Sequence, residues 1–518
     1  MYKRQAYTQT FAEKHTIDAK AVFTVSENNG SYFWASRKDY LSATVDQLFA
    51  GSSIGMQNSG NSDEGGRMGL VGRLKYDFDS RYYIEGSFRY DGSDNFAPGH
   101  RWGFFPSVAL AWDITEEPFF KNLNLKNVNL LKLRGSYGQT GTESGVNRFG
   151  YLSTYSLAEN AICIGGNLQS GFNEGALVSP ELLSWYTRNS LNYGIDVAFF
   201  NHRLKGSADY FFYVTKGGLV SPADRYVVPL GTALPQIKSE NEHRREGFEA
   251  SLRWDDKIGS GFYYEVGTNM TYYNNLYVKN QGEALSDLKN PYKRSTHQTD
   301  YYGIMYMDNG LYQTPEQVLG VPRRLQSSAT KLGDIAYEDI NGDGKIDGED
   351  QVRWGMPSAP HFTYGFDFVL GYKGFTLSGL LYGTGKRNME FGVTTKKNEA
   401  IWVLNDYQLD YWREDNRDAT FPRISLEALP NGSNNQAAST FWVKNASFLR
   451  LKNLTLEYDF KYKLLRNVKW LSTCRANITG ANLFTISNVM DYFDPETTST
   501  NGGYPVQRVY SLGVTIGF

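Results

Sequence analysis

The segment from Asp339 to Asp350 carries the clearest chemistry in the chain: Asp339-Ile340-Asn341-Gly342-Asp343-Gly344-Lys345-Ile346-Asp347-Gly348-Glu349-Asp350. Side-chain oxygens stand at the first, third, fifth, ninth and twelfth places, on Asp339, Asn341, Asp343, Asp347 and Asp350. Gly344 holds the sixth place, where such a loop turns sharply, and Lys345 offers its backbone carbonyl at the seventh. An all-oxygen shell of this kind suits Ca²⁺. The twelfth place is Asp and not the longer Glu, which shortens the reach of the last ligand. The flanks do not read as two helices, so a calcium loop over 333–351 is expected without an EF-hand around it. A solvated Asp/Asn/Gly turn would use the same residues. The expected role is to stiffen a long loop, not to catalyse.

Other chemistry is sparse. The histidines at 15, 100, 202, 243, 297 and 361 form no HExxH pair, which argues against catalytic zinc. Gly383-Thr384-Gly385-Lys386 shares a Gly-Lys step with phosphate loops, but the GxxxxGK[ST] spacing fails, and the segment reads as a strand end. Glu116 and Glu117 are adjacent, so in a strand they would point apart. Cys163 and Cys474 lie far apart without CxxC spacing, and no disulfide is expected. Aromatics in the long connections could stack on sugar faces: Trp34, Trp102, Tyr302, Trp402 and Trp412 are the named candidates. Membrane-girdle or loop-packing roles would use the same rings.

What positions these residues is a repeated strand. Met68, Leu70, Leu74, Tyr76 and Phe78 alternate with Gly69, Val71, Arg73, Lys75 and Asp77. The same period recurs in 82–90, 248–254, 362–370 and 454–460. About fifteen such strands are expected, each apolar on one face and often charged on the other. Net charge is -2, so no basic footprint for nucleic acid exists. With 15% aromatics and 52 Gly, and no apolar run of membrane-helix length, the composition fits strands that average to neutral because lipid-facing and lumen-facing residues alternate. Tight turns near 78–81, 201–202, 255–261 and 371–374 alternate with long segments at 30–66, 138–187, 216–244, 277–360 and 388–445. Short connections on one side and long ones on the other mark an outer-membrane barrel. The chain closes on Tyr510, Leu512, Val514, Ile516 and a terminal Phe518. The expected fold class is all-β, a transmembrane antiparallel β-barrel, with about fifteen strands of a larger one.

Traced back from a periplasmic Phe518, the first strand near 2–10 runs inward, and the strand count is odd where bacterial barrels use even numbers. Upstream strands are therefore expected, and an open edge would not be tolerated in lipid. The start, MYKRQAYTQTFAEKH, shows no signal peptide.

Several segments, in order, resemble the C-terminal half of SusC/RagA transporters. They include YDGSDNFAPGHRWGFFPSVALAWDITEEPFF at 90–120, LKLRGSYGQTG at 131–141, GDIAYEDINGDGKIDGEDQ at 333–351, ASFLRLKNLTLEYDF at 446–460 and VQRVYSLGVTIGF at 506–518. The resemblance covers nearly all of 1–518. It implies a plugged outer-membrane barrel of roughly 22 strands and TonB-dependent import of a nutrient, an oligosaccharide before a peptide. It also implies a SusD-like surface lipoprotein and a TonB complex as partners, the latter through a plug and TonB box not found in these residues. A passive porin in the same lipid is the rival transport reading. A hydrolase lacks its nucleophile and base, so no enzyme is expected.

Overall fold

In the computed structural model the described residues are 2–518, excepting 43, 176–182, 221–236, 260, 321–322, 325–329, 391–408, 425–433, 490–492 and 497–505. Fifteen strands follow one another in sheet order as they do in sequence. They are β1 (Tyr2–Phe11), β2 (His15–Ser36), β3 (Gln57–Phe78), β4 (Tyr82–Ser93), β5 (Trp102–Asp113), β6 (Val128–Thr142), β7 (Tyr186–Phe199) and β8 (Leu204–Lys216). Then come β9 (Glu242–Ile258), β10 (Phe262–Lys279), β11 (Phe362–Tyr372), β12 (Phe375–Thr384), β13 (Phe448–Asp459), β14 (Thr473–Ser487) and β15 (Val509–Gly517). No helix is long and apolar enough to cross a membrane among the described residues. Two compact units divide the chain: 1–116 with 134–191 and 213–242, and 117–133 with 192–212 and 243–518.

In the first unit the expected alternation is present, and exposure assigns its faces. Leu70, Leu74, Tyr82, Ile84, Phe88, Tyr90, Phe104 and Leu110 are all exposed. A water-soluble sandwich would bury this face. The opposite face is charged and self-paired. Arg73 lies 3.3 Å from Asp18 and 3.5 Å from Glu85, and Thr8 donates to Asp18 at 3.0 Å. Glycine on the apolar face makes room for large rings. Gly72 pairs across from Phe88, and a Cβ there would meet the ring at 2.3 Å.

The connection 30–66 is shorter than expected. Strands β2 and β3 pair from His15↔Phe78 out to Ser36↔Gln57, whereas β4 stops at Arg67↔Ser93. Beyond that point two strands continue alone as a ribbon. The segment 138–187 likewise holds a hairpin, Tyr155–Ile164 against Asn167–Glu174.

The second unit repeats the inversion. Met270, Tyr272, Phe366, Leu456 and Ile478 are exposed, and Leu512 on β15 is 83% exposed. On the alternate positions Arg253 bridges Glu265 and Asp367. Turns are tight where expected: Lys373 and Gly374, both at positive φ, join Tyr372 to Phe375, the two-residue form that matches strand twist. Trp470 stacks on Phe518 at 5.8 Å.

Buried hydrophobics gather in the connections, not on the membrane faces. Ile335, Tyr337, Ile346, Phe421 and Trp442 form one cluster, with Tyr306, Leu311 and Phe441 against it. All come from the segments 277–360 and 388–445, so these long connections carry a core of their own.

Candidate functional site

The calcium-type segment sits on that core. Gly342 and Gly344 adopt φ of +73° and +81°, a backbone region that side chains resist. Asp339 accepts from the N–H of Gly342 at 2.7 Å and of Gly344 at 2.9 Å. Asn341 accepts from Asp343, Asp343 from Lys345 and Asp347 from Glu349, at 2.8–2.9 Å. Asp350 closes the loop. It is fully buried and accepts from Ile340 at 3.0 Å and Asp347 at 2.7 Å. Ile346 plugs into the hydrophobic cluster, while Asn341 and Asp343 are exposed and Asp339 is half-buried.

The donors offered are carboxylate, amide and carbonyl oxygens only, which fits a hard cation. The bonded oxygens of Asp339, Asn341, Asp343 and Asp347 each keep a second lone pair, whereas Asp350 Oδ1 accepts from both Ile340 and Asn341. Among the described residues, no group of three or more His, Cys, Asp or Glu is drawn together as a metal cluster. The carboxylates here are committed to backbone N–H groups.

The base of the 277–360 connection is pinned by polar contacts. Asp300 lies 2.8 Å from His361 Nε2, and Asn275 donates to its other oxygen at 2.6 Å. Burial pushes the Asp300 carboxyl up, but hydrogen bonds from His361 and Asn275 outweigh it and hold it below the usual range.

The aromatic candidates separate. Trp34 is exposed on the β2–β3 ribbon. Trp102 lies on the apolar face, stacked on Tyr90 at 4.8 Å, which makes it a lipid-side ring and not a lumen contact. Tyr302 is half-buried, its N–H bonded to Trp354 O at 3.1 Å. Trp412 is 8% exposed. Its N–H reaches Gln313 at 3.0 Å, and a Cβ on Gly333 would strike the ring at 2.4 Å. That ring fills the loop core and has no face free for a sugar. Trp402 lies outside the described residues.

A cavity that sequence reasoning missed lies within the first unit. It measures about 650 Å³ and is lined by Thr24, Ser26, Arg67, Arg89, Asp91, Glu143 and Trp185, among others. Arg89 grips Asp91 by two bonds of 2.9 and 3.1 Å, and Arg67 pairs with the buried Glu143. Trp185 packs between Phe96 and Phe105 and donates to Arg101 O. Arg67, Arg89 and Asp91 occupy polar places in the alternation, a legible signal. What sequence lacked was which polar places converge.

A family model for the TonB-dependent receptor-like β-barrel matches residues 3–483. The chain belongs to this family. It is an outer-membrane protein of this TonB-dependent receptor family, and that family comprises receptors and transporters. TonB-dependent receptor P3 of Formosa agariphila is 26% identical over 95% of this chain and 49% of its own length. TonB-dependent receptor SusC of Bacteroides thetaiotaomicron is 27% identical over 86% of this chain and 43% of its own. The chain thus spans about half the length of the curated relatives it matches. Among solved structures, the RagAB peptide importer in its open-open state superposes with a TM-score of 0.79 at 20% identity. That match covers all of this chain and 54% of the other, a likeness of fold. The TonB-dependent receptor barrel accounts for the inverted faces: apolar residues meet lipid, and ion-paired residues line the lumen.

Proposed function

We propose that this TonB-dependent receptor barrel imports an oligosaccharide across the outer membrane, working with TonB and a SusD-like surface lipoprotein, and carries no catalytic role. The observation that carries the reading is the 650 Å³ cavity on the polar face. Its charges balance, two arginines against two carboxylates, and each cation already has a carboxylate. Such a wall offers planar hydrogen-bonding groups and hydroxyls to a neutral, hydroxyl-rich solute without selecting a charged one. The test is uptake of labelled neutral oligosaccharides by cells expressing the protein, with and without TonB. TonB-dependent uptake that falls about tenfold in Arg89→Ala, a loss of about 1.4 kcal/mol, is expected. Equal uptake without TonB would favour a passive pore, and uptake of peptides alone would remove the sugar reading.

We further propose that Asp339, Asn341, Asp343, Asp347 and Asp350, with the Lys345 carbonyl, hold one structural Ca²⁺. Bound there, the cation supplies only charge neutralisation and rigidity. Chelation is expected to speed proteolysis within 339–350, and Asp343→Asn to weaken calcium binding on the order of tenfold. Identical cleavage with and without chelator would mean that the backbone hydrogen bonds alone hold the loop.

A further inference from the structure

The Thr384–Arg387 turn, set aside as a phosphate loop for its spacing, holds groups that nothing above uses. Arg387 follows the end of β12 and is 5% exposed. Its backbone carbonyl accepts from Ala446 N–H at 2.8 Å. Its Nε and Nη2 are shut off from solvent and have no hydrogen-bond partner among the described residues. The same holds for the hydroxyl of Thr384, three residues earlier. Buried guanidinium N–H groups left without an acceptor are costly unless something meets them.

Two nearby carboxylates are already taken. Arg450 binds both oxygens of Asp494 at 2.9 Å and also pairs with Glu496. Lys452 holds Glu496 at 2.7 Å. The field of Glu496 reaches Arg387, as do the Tyr302 and Tyr382 rings, but burial dominates and pulls its guanidinium down. Asp494 and Glu496 are thus held by Arg450 and Lys452, and neither bonds the Nε–Nη2 edge of Arg387.

The shape of the vacant donors narrows the partner. Nε–H and Nη2–H lie along one edge of the guanidinium and point the same way, the fork that accepts both oxygens of a carboxylate. We propose that this edge of Arg387 is a binding site for a single carboxylate, brought by a small free acid or by an acidic group on a solute such as a uronate. Entry requires the surrounding side chains to part, so binding couples to movement at the mouth of β12. The proposal stands on its own geometry, and its failure would leave the importer reading untouched.

The test is thermal unfolding of the detergent-purified protein, titrated with acetate, with trigalacturonate, or with chloride at matched ionic strength. A rise of a few degrees with a carboxylate but not with chloride is expected, absent in Arg387→Met. Arg387→Lys keeps the charge and loses the fork, and should weaken carboxylate binding at least tenfold. It also serves if the Met variant does not fold. Stabilisation by acetate would identify a free acid as sufficient, and by trigalacturonate alone an acidic solute. Equal response to chloride, or an Arg387→Met protein as stable as the parent and still responsive to carboxylate, would overturn the assignment.

Discussion

Arg450→Leu is expected to destabilise the protein by about 3–5 kcal/mol, the usual cost of stripping one partner from a buried ion pair. Arg450 lies on β13 with only 3% of its side chain exposed, and Asp494 has 9%. Its guanidinium is fully engaged: Nη2 meets both oxygens of Asp494, Nη1 meets Glu496, and Nε donates to Thr485 at 2.8 Å. Leucine preserves apolar contact with Phe448, over whose ring the guanidinium lies, so the loss is chiefly electrostatic. It removes the Arg450 partner from both Asp494 and Glu496, with Lys452 still on Glu496. Arg450→Lys should cost less, because it keeps the charge and gives up the fork. Thermal unfolding in detergent reads both. A melting temperature unchanged in Arg450→Leu would show that water, not Arg450, balances these carboxylates.

Trp442→Ala is the second large effect, about 3–5 kcal/mol for removing a buried tryptophan. Trp442 packs at 5.1 Å from Phe441 and 6.3 Å from Phe421, and its N–H donates to Asn435 O at 2.9 Å. Truncation opens a cavity and orphans that carbonyl. The damage should stay local, since the cluster is built from connections and not from strands. Hydrogen exchange is expected to quicken over 335–346 and hold steady over β13 and β14. The affinity for the proposed Ca²⁺ should fall with it, because Ile346 anchors the 339–350 loop in the same cluster. Faster exchange spread evenly into β13 would mean that the loop core and the strands unfold as one.

The sequence determined the strands. Period-two alternation located them because side chains on a strand must point to opposite faces, and among the described residues fifteen follow in chain order. Turn chemistry was equally local, as at Lys373-Gly374. The glycines of the 339–350 segment were legible for the same reason: positive φ selects residue type through backbone sterics alone.

Tertiary structure decided what one-dimensional pattern cannot carry. Alternation states that two faces differ, not which is covered. Exposure of Leu512 and Ile84, with Arg253 held between Glu265 and Asp367, gives the apolar side to lipid. Trp412 and Trp34 look alike in sequence, yet one fills a core over Gly333 and the other stands free, because burial depends on residues distant in the chain. The paired cavity of Arg67 and Glu143, and the unpaired edge of Arg387, arise the same way. Charge compensation is a property of neighbours in space, and only the fold assigns them.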